Sequence, residues 1–136
     1  MVDDTSRVGT DDADIDAAIR AAQESFSQFL DAFKEPKPGQ TSFQVRVAFI
    51  EGPHFERVWV GDLDFSGPEL HGTITSQPAL PSLENGQQVE FSYAQITDWM
   101  YVEEGRLVGG YTVRAIRDRL SEERRAEFDA ASPFTF

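Results

Sequence analysis

The sequence predicts a single α+β domain, with a long N-terminal helix packed on a curved, mainly antiparallel sheet of five to six strands, then short C-terminal helices. Three observations carry this. Apolar residues recur at helical spacing early in the chain, alternate with period two through the middle, and return to helical spacing near the end. The segments between the central strands are too short for helical crossovers, so neighbouring strands pair antiparallel. A length of 136 residues suits one domain, and 40% apolar content with eleven Phe, three Tyr and two Trp is enough to fill a core.

Residues 1–12 hold Asp3, Asp4, Asp11 and Asp12 with hardly an apolar anchor, and read as an acidic flexible tail. The domain then runs over residues 13–131, and residues 132–136 form a C-terminal tail. Ile15, Ile19, Ala22, Phe26, Phe29 and Phe33 follow one another at intervals of three and four, the buried stripe of one amphipathic helix. Thr10, Asp11 or Asp12 can cap it, and Asp14 and Asp16 suit the positive end of the helix dipole. Glu35-Pro36-Lys37-Pro38-Gly39 stops it, because proline lacks the amide donor and disfavours helix in the preceding residue.

The period then changes. Phe43, Val45, Val47 and Phe49 alternate with Gln44, Arg46 and Ala48, which makes a strand with one face on a core. Glu51-Gly52-Pro53-His54 is a turn, and Phe55 to Leu63 forms a second strand. Ser66-Gly67-Pro68 leads into a third at Leu70 to Ile74. Residues 76–86 contain Pro78, Pro81, Asn85 and Gly86 and read as loop. Val89, Phe91 and Tyr93 alternate as a fourth strand, Ile96 to Val102 forms a fifth, and Glu104-Gly105 turns the chain into Arg106-Leu107-Val108. Beyond Gly109-Gly110, Val113, Ile116 and Leu120 share a helical side. Ser121 can cap a last helix through Glu122, Glu123 and Phe128. Phe134 and Phe136 at the end either pack back on the domain or present a sticky end to a partner, and docking on its own domain is the commoner case.

Charge excludes several functions. With 24 acidic against 12 basic side chains the net charge is −12, the opposite of what phosphate backbones or anionic membranes attract, so neither nucleic acid nor membrane is an expected partner. Six Asp and one Arg fall in the first 16 residues, so −5 of the total belongs to the N-terminus. The folded part is only moderately acidic, and solubility is the simplest role for its charge. There is no cysteine for a disulfide, thiolate site or nucleophile, and His54 and His71 are too few for a three-histidine zinc site. No apolar stretch reads as a signal peptide or a membrane span, so a cytoplasmic location is expected.

Two segments carry a family resemblance. Ile96-Thr97-Asp98-Trp99-Met100-Tyr101, followed by Gly105-Arg106-Leu107-Val108-Gly109-Gly110-Tyr111-Thr112-Val113-Arg114, resembles the YegJ-like bacterial domains of unknown function, the family numbered 2314. The helix ending in Phe29-Leu30, the Phe43–Val47 and Val58-Trp59-Val60 strands, Gly72 and Pro78 are consistent with it, so the similarity covers roughly residues 13–120. Phe55-Glu56-Arg57 and Ser76-Gln77 depart from the family pattern. The resemblance implies a fold and no established activity.

One constellation invites a functional reading: Trp59, Asp98, Trp99, Tyr111, Thr112 and Arg114. An Asp beside a Trp on a strand, then a Gly-Gly corner and an Arg, can place a carboxylate and a guanidinium in one aromatic cleft for a small polar ligand or a peptide. The competing reading is structural: Asp98 and Arg114 pair with each other or cap backbone groups while both Trp rings fill the core, and Gly109-Gly110 supplies only unusual φ angles. Asp62-Leu63-Asp64-Phe65-Ser66-Gly67 matches the first half of a calcium loop. Its twelfth position is Thr73 rather than Glu and its flanks are strands, so an Asx turn is the better account. His54 with Glu56 makes too few ligands for a metal, and a Glu56–Asp98 acid–base pair cannot be read from spacing. Serine-hydrolase elbows and phosphate-cradling loops are missing from the sequence. No cofactor or metal is implied. The reading that leads is a non-enzymatic binding or protein-interaction module; the alternative is a small-ligand-binding domain or small enzyme centred on Asp98 and Arg114.

Overall fold

A computed structural model describes residues 12–136. The expected 1–11 portion of the acidic tail lies outside the described residues. The chain forms α1 (Ala13–Glu24), α2 (Phe26–Lys34), β1 (Gln40–Glu51), β2 (His54–Asp64), β3 (Leu70–Ile74), β4 (Gln88–Phe91), a 3₁₀ turn (Tyr93–Gln95), β5 (Ile96–Glu103), β6 (Arg106–Gly109), α3 (Tyr111–Arg119) and α4 (Glu122–Ala131). The six strands make one open sheet in the order β4-β3-β2-β1-β5-β6, every pair antiparallel. The class is therefore α+β, as the periodicity predicts.

Asp12 caps α1, its carboxylate accepting from the amides of Asp14 (3.0 Å) and Ile15 (3.1 Å). It also pairs with Arg119 at the end of α3, tying the first helix to the third. The single long helix predicted here is two. Ser25 breaks it: its hydroxyl donates to the carbonyl of Ala21 at 2.8 Å. The indole Nε1 of Trp99 donates to the carbonyl of Ala22 at 3.0 Å and to Ser25 Oγ at 3.2 Å. A carbonyl that would serve the helix ladder serves the core tryptophan instead, and the axis turns. The apolar stripe survives the turn.

That stripe meets the face of the sheet carrying Val45, Val47, Val58, Val60 and Trp99, all at most 1% exposed. Phe29, fully buried, is the hub. Its ring lies 5.5 Å from Phe26, 5.8 Å from Phe33, 5.9 Å from Phe43 and 5.8 Å from Trp99. Gly72 of β3 is a close approach: a Cβ there would sit 2.3 Å from Val60 Cγ1 and 2.9 Å from the carbonyl of Gly61. Only glycine lets β2 and β3 pack so closely.

A second difference concerns Tyr93, expected on the fourth strand. The strand stops at Phe91, because Ser92 and Gln95 form a capping box that starts the 3₁₀ turn, and Tyr93 is 54% exposed. The C-terminal residues dock. Thr135 donates its amide to the carbonyl of Gly105 at 2.9 Å and accepts from the amide of Leu107 at 2.8 Å, lying parallel to β6 along its outer edge. Phe136 stacks under Arg117, whose guanidinium carbon is 4.6 Å from the ring centroid, and that arginine also makes two 2.7 Å bonds to Asp129.

Candidate functional site

The β5–β6–α3 corner brings together five of the six residues singled out above: Asp98, Trp99, Tyr111, Thr112 and Arg114. Its turn depends on Gly109 (φ +77°) and Gly110 (φ +65°), both in the left-handed region. At Gly109 a Cβ would lie 2.4 Å from the carbonyl of Trp99 and 2.5 Å from its ring, so the corner closes directly on the tryptophan. Gly110 also stands at the N-cap of α3, where it has no side chain to offer the helix's free amides.

Asp98 of β5 serves those amides in its place. One carboxylate oxygen accepts from the amides of Trp99 (2.8 Å) and Tyr111 (3.1 Å). The other accepts from the amide of Thr112 (2.8 Å) and its hydroxyl (2.6 Å). Asp98 is 0% exposed, and this burial pushes its carboxyl above the ordinary carboxylate value, while the hydrogen bonds from Thr112, Trp99 and Tyr111 pull the other way. The Thr112 hydroxyl spends its proton on Asp98 and accepts from Nη1 of Arg46 at 3.1 Å, so a guanidinium is linked to the carboxylate through one side chain.

Arg46 is the site residue that sequence reasoning missed. Alternation along β1 places it on the face opposite Val45 and Val47, where an arginine reads as solvent-facing, yet it is only 3% exposed. The signal lies in the register: Arg46 stands opposite Trp59 on β2 and Asp98 on β5. Its guanidinium carbon is 5.5 Å from the centroid of Trp59, so Trp59 joins the group through Arg46. Arg57, on the same face and 1% exposed, was missed similarly, while Glu56, weighed above with His54 and Asp98, lies on the core face at 3% exposure. Glu56 accepts from the amides of Ala79 and Leu80 at 2.7–2.9 Å, fastening the 78–81 loop over the end of the core.

Arg114 does not pair with Asp98. Its Nε donates to the carbonyl of Gly109 at 2.8 Å and its Nη2 to the carbonyl of Leu107 at 2.7 Å, locking α3 back onto β6. Tyr111 packs edge-on against Trp99 at 5.7 Å. Beside the corner, a depression of about 180 Å³ is lined by Ala22, Gln23, Phe26, Tyr93, Ile96 and Asp98.

The opposite end of the sheet has another character. A cleft of about 420 Å³ lies over β2, β3 and β4, lined by Asp62, Asp64, His71, Gly72, Thr73, Gln88, Val89 and Glu90. Asp64 closes an Asx turn, accepting from the Ser66 amide at 3.0 Å and hydroxyl at 2.6 Å, and these bonds hold its carboxyl below the usual range. Asp62 sits at φ +47°. Among the described residues Glu69, His71 and Glu90 form a group of three potential metal donors within 4.8 Å of one another, all exposed.

With this geometry in view, comparison with known proteins places the chain. The family described as "Uncharacterized protein conserved in bacteria (DUF2314)" matches residues 12–136. The chain belongs to that family. The resemblance noted at Ile96–Tyr101 and Gly105–Arg114 is thereby confirmed, and those two segments are the ones that build the β5–α3 corner. Among similar proteins, the uncharacterized protein YegJ of Escherichia coli K12 is 25% identical over 90% of this chain and 79% of its own length. A Neisseria meningitidis serogroup B protein named as an ankyrin repeat protein is 36% identical over 64% of this chain. The chain spans only 36% of that relative's length. No solved structure matches it. No helix among the described residues is long and apolar enough to cross a membrane.

Proposed function

We propose that this DUF2314 chain is a non-enzymatic protein-interaction domain acting in the cytoplasm. The observation that carries the reading is the saturation of Asp98: both carboxylate oxygens are taken by four donors of the fold itself. A general acid, base or ligand-gripping carboxylate needs a lone pair or proton facing its substrate, and Arg114 is spent on two backbone carbonyls. The open concave surface over β2–β4 is instead exposed and acidic. A relative named as an ankyrin repeat protein supports the reading by association, since repeat arrays present extended concave binding surfaces.

The test is cross-linking in the native host with the full chain, followed by mapping of the linked residues. A stoichiometric protein partner with links on the described surface is the expected result. A small molecule co-purifying at one equivalent, with no protein link above that of an acid-matched control, contradicts it. That second outcome belongs to the alternative reading, a small-ligand domain, which the 180 Å³ depression against Asp98 favours.

A further inference from the structure

Two edges bound this sheet, and they are finished differently. The outer side of β6 is occupied by Thr135, which exchanges backbone hydrogen bonds with Gly105 and Leu107. The outer side of β4 has no such strand among the described residues. Its register says which groups are open. The Ile74 amide donates to the carbonyl of Gln87 at 2.9 Å, and Gly72 stands opposite Val89 and Leu70 opposite Phe91. In an antiparallel ladder these alternate residues turn their backbone groups inward, so Gln88 and Glu90 turn theirs outward. Both residues are exposed.

Charge says what fits there. Glu90 stands opposite His71, with Glu69 beside them, and Asp62 and Asp64 line the same cleft. His71 is the one basic side chain in that group. A strand laid against β4 would put its own side chains about 5 Å from those of Gln88 and Glu90 on this face. Lysine or arginine there meets carboxylates. Acidic residues meet repulsion, which also disfavours a second copy of this chain at net charge −12.

Resting on the interaction-module reading, we infer that the β4 edge is a strand-addition site for an extended, basic segment of a partner protein. Backbone bonds to Gln88 and Glu90 supply the register, Glu90 and Glu69 select Lys or Arg at alternate positions, and Asp62 and Asp64, two strands further in, add to the acidic field. Residues in between lie on the side of half-buried Val89. Short length and an edge charge are also how proteins blunt free edges; here the same carboxylates that repel other acidic edges attract a basic one.

The test titrates the full chain, at low salt, with an alternating Lys-Val octapeptide and with its Glu-Val counterpart, reading backbone amide signals and hydrogen exchange. The expected result is binding of the Lys-Val peptide alone, with exchange at the Gln88 and Glu90 amides slowed at least tenfold. Glu90→Pro, which removes an outward donor and no ladder bond, should weaken binding at least tenfold. Glu90→Lys, which leaves the backbone intact, should do the same should the proline variant fail to fold. Equal binding of the Glu-Val peptide, unchanged exchange at Gln88 and Glu90 with shifts scattered over the acidic surface, or undiminished binding by either folded variant overturns the inference. A native partner cross-linked elsewhere on the domain would sink this site while leaving the interaction-module reading intact.

Discussion

The β5–α3 corner and the β2–β4 end are both rich in polar side chains, but the carboxylate of the first is buried and accepts four bonds within the fold, while those of the second lie exposed. At the corner, Asp98 is fully buried, all its donors come from within the domain, and Arg114 is bound to two carbonyls. At the other end, Glu69, His71 and Glu90 stand exposed around an open cleft, and the outward amides of β4 face away from the ladder. The contrast separates polar groups that hold a fold from polar groups that remain available to a partner. Residue type alone does not make that distinction, since a carboxylate, an arginine and aromatic rings look equally functional in either place.

Substitutions sharpen the comparison. Asp98→Ala should cost most, about 3–5 kcal/mol, because it strips the cap of α3 and leaves the buried Trp99 and Thr112 amides and the Thr112 hydroxyl without their acceptor; urea unfolding midpoints measure it. Gly109→Ala should follow at about 2–4 kcal/mol, from left-handed strain plus the clash with Trp99. Arg114→Ala should cost about 1–3 kcal/mol for its two carbonyl bonds. A ligand-gripping role would instead leave the midpoint of either Asp98→Ala or Arg114→Ala unmoved.

The pH dependence divides along similar lines. Asp129 is held below its ordinary 3.8 by the Arg117 guanidinium, so its contribution is present above that value and lost as pH falls through its lower folded value. The stability gap between the native chain and Asp129→Asn should therefore close in acid. Asp98 runs the other way: its folded value is raised by burial, so its contribution is full below 3.8 and lost as pH rises through the folded value. The gap to Asp98→Asn should widen as pH is lowered. Glu90→Lys should have the smallest effect, within about 0.5 kcal/mol, as befits an exposed edge residue.

Much of the fold was legible because it rests on periodicity. The Ile15–Phe33 stripe, the Phe43–Phe49 alternation and the Gly109-Gly110 corner are local signals that the core only had to accept. The break at Ser25 was not legible, since it is made by Trp99, a residue 74 positions away whose indole takes a helix carbonyl. Arg46 was hidden for a related reason. Alternation reports which face a residue is on, and β5 brings Asp98, and α3 brings Thr112, to a face that alternation marks as wet. The role of Asp98 is the backbone-capping half of the structural reading of the sequence. Proximity of Asp98 and Arg114 to one corner was correct, but each found backbone to bond, because Gly110 cannot cap the helix it begins.

Hydrogen exchange of the free chain, read residue by residue, tests this division most directly. The amides of Trp99, Tyr111 and Thr112, bound to a buried carboxylate, should exchange only through global unfolding, while those of Gln88 and Glu90 should exchange close to the rate of unprotected peptide. Fast exchange at Thr112 together with strong protection at Glu90 would reverse the assignment, making the corner the open site and the β4 edge a closed one.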